Sequence, residues 1–215
     1  MKIVAIEKVA GARERVRLRL DSGEAVELAA EVVYRAGFRD GEEVASCVLE
    51  EALLQDLAWR AREAGLRLLA HRPRTVSELR LRLARKGFPP EVVERCLEEL
   101  AGKGLLDDGA FAEMFARDRV RLQPRGRRRV LGELRAKGVQ AETADAALDQ
   151  VFAEEEVDEL SLARQAARRW RRRSGEDPRR ARQRFMAFLA RRGFPSEVAR
   201  RVAEEVLGSE EAADW

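Results

Sequence analysis

The sequence predicts a mainly α-helical fold, in which three tandem three-helix repeats form an elongated curved array behind a small N-terminal antiparallel β-sheet. Three observations lead to this prediction. One short motif recurs three times at a spacing of about 50 residues, each copy has the i, i+4 apolar spacing of a helix, and strand-like alternation is confined to the start of the chain. Repeats of this length usually cannot bury their apolar faces alone, and they therefore stack.

Residues 1–45 are predicted to form a separate β-rich region. Residues 2–7 and the strictly alternating residues 15–20 are predicted strands, and a turn signal follows before a third strand over 25–28. A short helix near residues 31–35 and a connecting helix over 46–57 would join this sheet to the repeats. Val16, Leu18 and Leu20 would face inward. The opposite face would carry a row of arginines. Such a row is typical of the solvent-exposed face of a small sheet, and less often it contacts nucleic acid. Its members are Arg13, Arg15, Arg17 and Arg19.

The recurring motif predicts a helix, a tight glycine turn and a second helix in each repeat. Aligned on Gly87, Gly138 and Gly193, every copy has an apolar residue eight positions before the glycine, leucine four before, a base directly before and an apolar residue directly after. The base suits the last turn of a helix, and the glycine suits the left-handed position that ends it. We therefore expect a positive φ at each glycine. The expected core consists of Leu79, Leu83 and Leu100 with their repeat partners Val130, Leu134, Val151, Phe185, Leu189 and Val206.

A further helix is predicted before each of these pairs, because helical apolar patterns lead to Pro73, Pro124 and Pro178. Each repeat therefore contains three helices. The predicted repeats cover residues 58–110, 111–160 and 161–208, and an acidic tail follows over 209–215.

The composition excludes several classes of protein. The chain of 215 residues contains no apolar run of about 18 residues, so we predict no membrane span. Glu7 falls too early for a secretory signal, and we expect a cytoplasmic protein. Cys47 and Cys96 are too few for a disulfide framework and are expected to be buried thiols.

Catalytic groups are hard to place in this sequence. His71 is the single histidine, no Walker phosphate loop occurs, and the cysteines and the histidine cannot make a usual zinc site. Asp107 stands before an apolar helical pattern and is expected to cap that helix. We therefore predict a non-enzymatic protein that uses no metal and no cofactor.

The formal net charge of +3 conceals a strong segregation of charge along the chain. Basic stretches over 117–137 and 164–192 are each followed by an acidic one. The arginines could face a polyanion or an acidic protein groove, or they could pair with acids on neighbouring helices. Members in the loops, over 125–129 and 171–180, are expected to be the most accessible. The candidate binding residues are Arg117, Arg119, Arg121, Arg125, Arg127, Arg128 and Arg129, and then Arg168, Arg169, Arg171, Arg172, Arg173, Arg179, Arg180 and Arg182.

Two motifs occupy residues 104–139 of the sequence. They are Gly104-Leu105-Leu106-Asp107-Asp108-x2-Phe111-Ala112-x2-Phe115-x3-Arg119 and Gly126-x3-Val130-x2-Glu133-Leu134-x2-Lys137-Gly138-Val139. Together they resemble the signature of the RecX family of bacterial recombinase regulators. The resemblance covers about residues 66–206, and the N-terminal region is similar to that of the longer members. One departure is that the family usually has Gly-Pro where this chain has Gly126 followed by Arg127.

This resemblance implies a non-enzymatic modulator of the RecA recombinase, with a part in homologous recombination, DNA repair and the SOS response. We also expect the protein to be a monomer. Family members bind the RecA–single-stranded-DNA filament and restrain strand exchange, ATP hydrolysis and co-protease activity. Direct contact with single- or double-stranded DNA is a further expectation. Two alternatives stay open on the residues alone: a general nucleic-acid-binding module that acts without RecA, and a protein–protein scaffold.

Overall fold

The computed structural model describes residues 1–11 and 14–211, without the side chains of 209–211. Arg13 of the predicted arginine row and residues 212–215 of the predicted acidic tail lie outside the described residues. The described chain divides into two compact units. One contains Met1–Arg72 and Leu79–Leu105, and the other contains Pro73–Glu78 and the chain from Leu106 onward.

The first unit begins with the predicted three-stranded sheet. Strands β1 (Ile3–Lys8), β2 (Arg15–Leu20) and β3 (Ala25–Ala29) pair antiparallel in chain order. Leu18 and Leu28 are fully buried on the inner face, where helix α1 (Ala30–Ala36) and the start of helix α2 (Ser46–His71) cover them. Val16, expected to face inward with them, is only half-buried.

An ion pair changes the expected picture of the arginine row on β2. Arg15 does not face solvent, because its guanidinium donates to the buried carboxylate of Asp56 on α2 at 2.7 Å. The same Asp56 oxygen accepts from the backbone N–H of Ala29, also at 2.7 Å. Arg17 and Arg19 pair with acids on the neighbouring strands. Arg15 thus attaches the sheet to α2, and Arg17 and Arg19 connect β2 to the two strands beside it.

Helix α2 is one continuous helix of 26 residues. The boundary that we expected between residues 57 and 58 falls inside it, so the connecting helix and the first helix of the first repeat are the same element. Cys47, expected to be buried, lies exposed in its first turn, because the apolar face at that end is formed by Leu49 and Ala52. Cys96 is buried as expected, and burial raises the pKa of its thiol.

Three three-helix domains follow, as the repeat predicted. The first contains the end of α2, then α3 (Val76–Ala84) and α4 (Pro90–Gly102). The second contains α5 (Asp108–Arg121), α6 (Arg127–Ala136) and α7 (Ala141–Glu154), and the third contains α8 (Glu159–Ala167), α9 (Pro178–Arg191) and α10 (Ser196–Glu211). Asp107 caps α5 as expected, accepting from the N–H groups of Gly109 and Ala110. No described residue after position 58 belongs to a strand.

The three motif glycines end the middle helix of each domain. Their φ angles are 86° at Gly87, 82° at Gly138 and 86° at Gly193, which confirms the predicted left-handed turns. In each turn, the N–H of the next residue donates back to the carbonyl of the motif leucine, at 3.4 Å, 3.1 Å and 3.3 Å respectively. This bond is the one expected of a Schellman-type helix end.

Eight of the nine predicted core residues are buried. In the second unit, a continuous apolar cluster includes Val130, Leu134 and Val151 of the second domain with Phe185 and Leu189 of the third. The exception is Val206, which lies at the edge of that cluster and is only half-buried. None of the described helices combines the length and the apolar character needed to cross a membrane.

Replacing Leu83 by Ala should lower the free energy of unfolding by about 2–5 kcal/mol, because it leaves a cavity at a fully buried site. Leu81→Ala in the same helix is the matched control, since Leu81 is 51% exposed and its loss should cost less than about 1 kcal/mol. Urea titrations followed by circular dichroism compare the two. Equal losses would contradict the assignment of Leu83 to the core.

Candidate functional site

The second and third helical domains meet through a backbone contact. The N–H of Gly126, just before α6, donates to the carbonyl of Arg192 at 2.9 Å. A Cβ on Gly126 would lie 2.6 Å from the carbonyl carbon of Gly193, and a Cβ on Gly193 would lie 2.5 Å from the Cβ of Arg129. Side chains at these two glycines would therefore force the domains apart.

A similar contact joins the start of α3 to the second domain, within the second unit. The hydroxyl of Thr75 donates to the carbonyl of Lys137 at 2.6 Å and accepts from the N–H of Glu78. A Cβ on Gly138 would lie 2.5 Å from the hydroxyl oxygen of Ser77. The Gly138 and Gly193 turns thus each pack on the N-terminus of the middle helix of the preceding domain.

The glycine contact between α6 and the α9–α10 turn brings six arginines around one groove, which we call the arginine groove. Its volume is about 1020 Å³. The arginines come from the loop before α6, from α6 itself, from the residues after α8 and from the end of α9. In the described part of the chain, Glu133 is the single acid among the lining residues. The arginines are Arg125, Arg128, Arg129, Arg169, Arg191 and Arg192.

The cations of the arginine groove repel one another. Burial lowers the pKa of the Arg125 guanidinium, and the neighbouring cations, chiefly Arg119 and Arg129, lower it further. Burial also lowers the pKa of Arg192, and repulsion from Arg169 and Arg191 lowers it further. Arginine stays protonated at neutral pH in spite of such shifts. The groove therefore concentrates positive charge that an anion would neutralise.

Glu133 is the counter-ion inside this cluster. Its carboxylate accepts from Nε of Arg119 at 2.9 Å and from Nε of Arg129 at 2.7 Å, and it also pairs with Arg125. The Glu133 side chain is only 16% exposed. One carboxylate thus serves three guanidinium groups, which leaves a surplus of positive charge.

The other predicted arginines of the second domain bind acids of α7 or its C-terminal end. Arg117 donates to Glu154 at 2.8 Å, and Arg121 donates to Glu155 at 2.6 Å. Arg127 reaches Asp149 at 2.6 Å and also contacts Asp145. It lies in the first turn of α6, where it is half-buried, and not in an open loop as expected. For these three residues, pairing between neighbouring helices accounts for the charge pattern.

The predicted arginines of the third domain are dispersed. Of that set, Arg169 lines the groove, and it donates to the carbonyl of Leu122 at 3.1 Å. Arg182 pairs with Glu204 across to α10, and the guanidinium of Arg171 donates to the backbone carbonyls of Arg168 and Trp170. The remaining members are exposed between α8 and α9 or on α9, and they do not line the groove: Arg168, Arg172, Arg173, Arg179 and Arg180.

Two groove residues, Arg191 and Arg192, are absent from the set predicted from the sequence. Arg192 occupies the basic position of the recurring motif, and Arg191 lies one residue before it. A basic residue at the C-terminal end of a helix interacts favourably with the helix dipole, so its presence there does not require a ligand. The second domain has Ala136 and Lys137 at these positions. The first domain has Arg85 and Lys86 there, so an extra base beside the motif base does not by itself mark the site.

An ion pair orders the segment between α8 and α9. Glu176 accepts from Arg184 through both carboxylate oxygens, at 2.9 Å and 2.8 Å, and this pairing lowers the pKa of Glu176 to about 2. The Arg184 guanidinium also lies over the ring of Trp170 at 4.5 Å. The segment that carries several predicted arginines is therefore held by one acid and one indole.

Comparison with known proteins gives a consistent match in all three domains. Family models described as the first, second and third three-helix domains of RecX match residues 61–100, 107–148 and 157–203. The regulatory protein RecX of Halorhodospira halophila is 46% identical over 144 residues, which cover 66% of this chain and 85% of that protein. The RecX of Mycobacteroides abscessus is 40% identical over 161 residues, which cover 67% and 71%.

Solved structures show the same fold. A crystal structure described as regulatory protein RecX has a TM-score of 0.73 to this chain at 27% identity, over 97% of this chain and 98% of that one. RecX from Lactobacillus salivarius has a TM-score of 0.56 at 21% identity, over 71% of this chain and 97% of that one, and supports the fold alone.

Gly126→Ala should destabilise the second unit by about 2 kcal/mol or more, because the added methyl group overlaps the Gly193 backbone. The φ of Gly126 is −68°, which alanine adopts freely, so the cost is one of contact and not of backbone strain. Gly132→Ala in the same helix is the control. It meets nothing within 4 Å and should stabilise by up to about 1 kcal/mol. Thermal unfolding of the two variants should shift in opposite directions; two equal shifts would contradict the contact.

The ion pair of Glu176 should make the α8–α9 segment sensitive to acid. Because its folded pKa lies below the ordinary 4.5, ionised Glu176 stabilises the segment fully above about pH 4.5, and this contribution is lost as the pH falls through about 2. An NMR titration should show the indole resonance of Trp170 moving in that interval as Arg184 leaves the ring. Glu176→Gln should abolish the transition, and an unchanged transition would contradict this origin.

Proposed function

This chain belongs to the RecX family of regulatory proteins, and on that premise we propose that it binds RecA and the RecA–single-stranded-DNA filament without catalysing a reaction itself. In this proposal it restrains strand exchange, ATP hydrolysis and co-protease activity. It would act as a cytoplasmic monomer in homologous recombination, DNA repair and the SOS response. The observation that carries the proposal is the match of three consecutive domains, in order, to the three domains of one regulatory family.

The charge distribution supports a partner that contains nucleic acid. Arg117, Arg121 and Arg127 are bound to acids of the same domain, so they hold the helices together and contribute little to an external field. The arginine groove, in contrast, has six cations and one carboxylate among its described lining residues. A cationic cleft raises the local concentration of a polyanion and speeds its association.

The arginine groove also favours a second candidate, a general nucleic-acid-binding module that acts without RecA. Such a module would inhibit RecA only by covering DNA, and it would therefore inhibit any enzyme that needs the same DNA. A RecA regulator acts on the filament, so its effect depends on RecA. These two modes make opposite predictions for an unrelated DNA-dependent ATPase.

Titration of the protein into RecA on single-stranded DNA should slow ATP hydrolysis in a dose-dependent manner at substoichiometric amounts. The control is a single-stranded-DNA-stimulated helicase ATPase, assayed with the same DNA, salt and protein concentrations, whose rate should change little. Equal slowing of both enzymes would favour the general DNA-binding module. An unchanged RecA rate over the whole titration, with DNA binding demonstrated in parallel, would contradict the RecA proposal.

A further inference from the structure

We propose that the arginine groove binds the phosphodiester backbone of nucleic acid, and that Glu133 occupies a phosphate position in the free protein. In this inference, Glu133 is a built-in competitor that the incoming phosphates displace from Arg125 and Arg129. The inference deepens the proposed function. It rests on that function in one respect, namely that the nucleic acid is the DNA of a RecA filament.

The first support is the concentration of guanidinium groups without matching acids. The groove arginines come from two domains and converge through the Gly126–Gly193 contact, so the site is built by tertiary structure and not by one helix face. Both Arg125 and Arg192 are partly buried beside other cations. Binding a phosphate there relieves repulsion that folding has already imposed. Guanidinium groups suit this ligand because their planar forks match phosphate oxygens.

The second support is the character of the remaining lining, which favours a backbone over bases or a protein segment. Besides the charged side chains, the groove is lined by small or polar residues. Base binding relies on aromatic side chains for stacking, and protein interfaces rely on large apolar anchors. Recognition here therefore has to come from charge, which is the sequence-independent term of nucleic-acid binding. The remaining lining residues are Gln123, Pro124, Gly132, Ala136, Ala190 and Gly193.

The third support is the geometry around Glu133. Its two oxygens contact different guanidinium groups, Oε2 that of Arg119 and Oε1 that of Arg129, in the charge-assisted hydrogen bonds that a phosphate would also accept. Arg119 lies over the ring of Phe115 at 4.0 Å and stays with Glu133 in our proposal. Arg125 and Arg129 face the groove and are free to exchange the carboxylate for phosphate.

A second cluster in the same domain offers a matched control. Glu155, 19% exposed, pairs with Arg121 at 2.6 Å and with Arg117, so it is also a shielded carboxylate between arginines. None of these three residues lines the arginine groove. Changing Glu155 or its arginines therefore alters the net charge equally without altering the groove.

Binding of labelled oligo(dT), oligo(dA) and a duplex, without RecA, should be measured by fluorescence anisotropy over a range of KCl concentrations. Arg128→Gln with Arg191→Gln should lower the salt slope of log Kd by about one to two, since each lost phosphate contact removes about 0.7 on a single strand and about 0.9 on a duplex. Arg117→Gln with Arg121→Gln removes the same charge and should leave the slope nearly unchanged. Equal affinity for oligo(dT) and oligo(dA) is expected, and the duplex arm shows which form of backbone the groove prefers.

Glu133→Gln should tighten binding about fivefold at low salt and raise the slope by about one, because the competing charge is gone. Glu155→Gln should change the affinity much less. Equal effects of the two glutamate variants would overturn the competitor role of Glu133, and equal slopes of the two arginine pairs would overturn the groove itself. If Glu133→Gln fails to fold, judged by circular dichroism, the arginine pairs alone decide, since Arg128 and Arg191 are exposed.

The RecA assay separates this inference from the proposed function. If the groove variants bind DNA with the same salt slope as the parent, and the parent slows ATP hydrolysis by RecA, the groove is not the DNA-binding site, but the proposed regulation of RecA stands. If the parent binds DNA through the groove but does not change ATP hydrolysis by RecA, the DNA-binding groove stands and the proposed regulation of RecA is contradicted.

Discussion

The contact of two backbones at Gly126 and Gly193 is the constraint on which the second unit depends. Because neither residue has a side chain, the N-terminus of α6 reaches the turn after α9 closely enough for Gly126 to donate to the Arg192 carbonyl. The Thr75–Lys137 bond and the Gly138 turn repeat this arrangement one domain earlier. Gly138 and Gly193 thus each have two roles: they end a helix with positive φ, and they allow the neighbouring domain to pack closely.

The same contact explains why a nearly neutral chain has a strongly cationic site. Most arginines of the second domain have a carboxylate partner on a neighbouring helix or within α6, and exposed pairs of that kind contribute little stability each. When the α9–α10 turn packs on α6, it brings Arg191 and Arg192 against cations that already share Glu133. The packing of backbone and apolar side chains outweighs this repulsion, and the charge surplus remains where the domains join.

The proposed function requires a surface that can bind a partner. The structure places rigid helices, ended by glycine turns and capped by groups such as Asp107, around a continuous apolar cluster in the second unit. These helices hold the guanidinium groups of the arginine groove in fixed positions. The pairing of Glu133 with three of the guanidinium groups partly neutralises the positive charge there. In our proposal, the affinity of the groove for a polyanion depends on the competition between the carboxylate of Glu133 and the external phosphates.

The sequence by itself determined the features that depend on local spacing: the helical class, the three domains, the left-handed glycines and nearly all of the predicted core. These follow from the i, i+4 periodicity and from the backbone freedom of glycine, which act over a few residues. Only the tertiary structure decided which arginines are neutralised and which line the arginine groove. Arg127 finds Asp145 and Asp149 on another helix, and Arg192 meets Gly126 of another domain. Charge carries no period that reveals its partner, so the pairs appear only when the helices of a domain pack together, and the groove appears only when the glycine contact joins two domains.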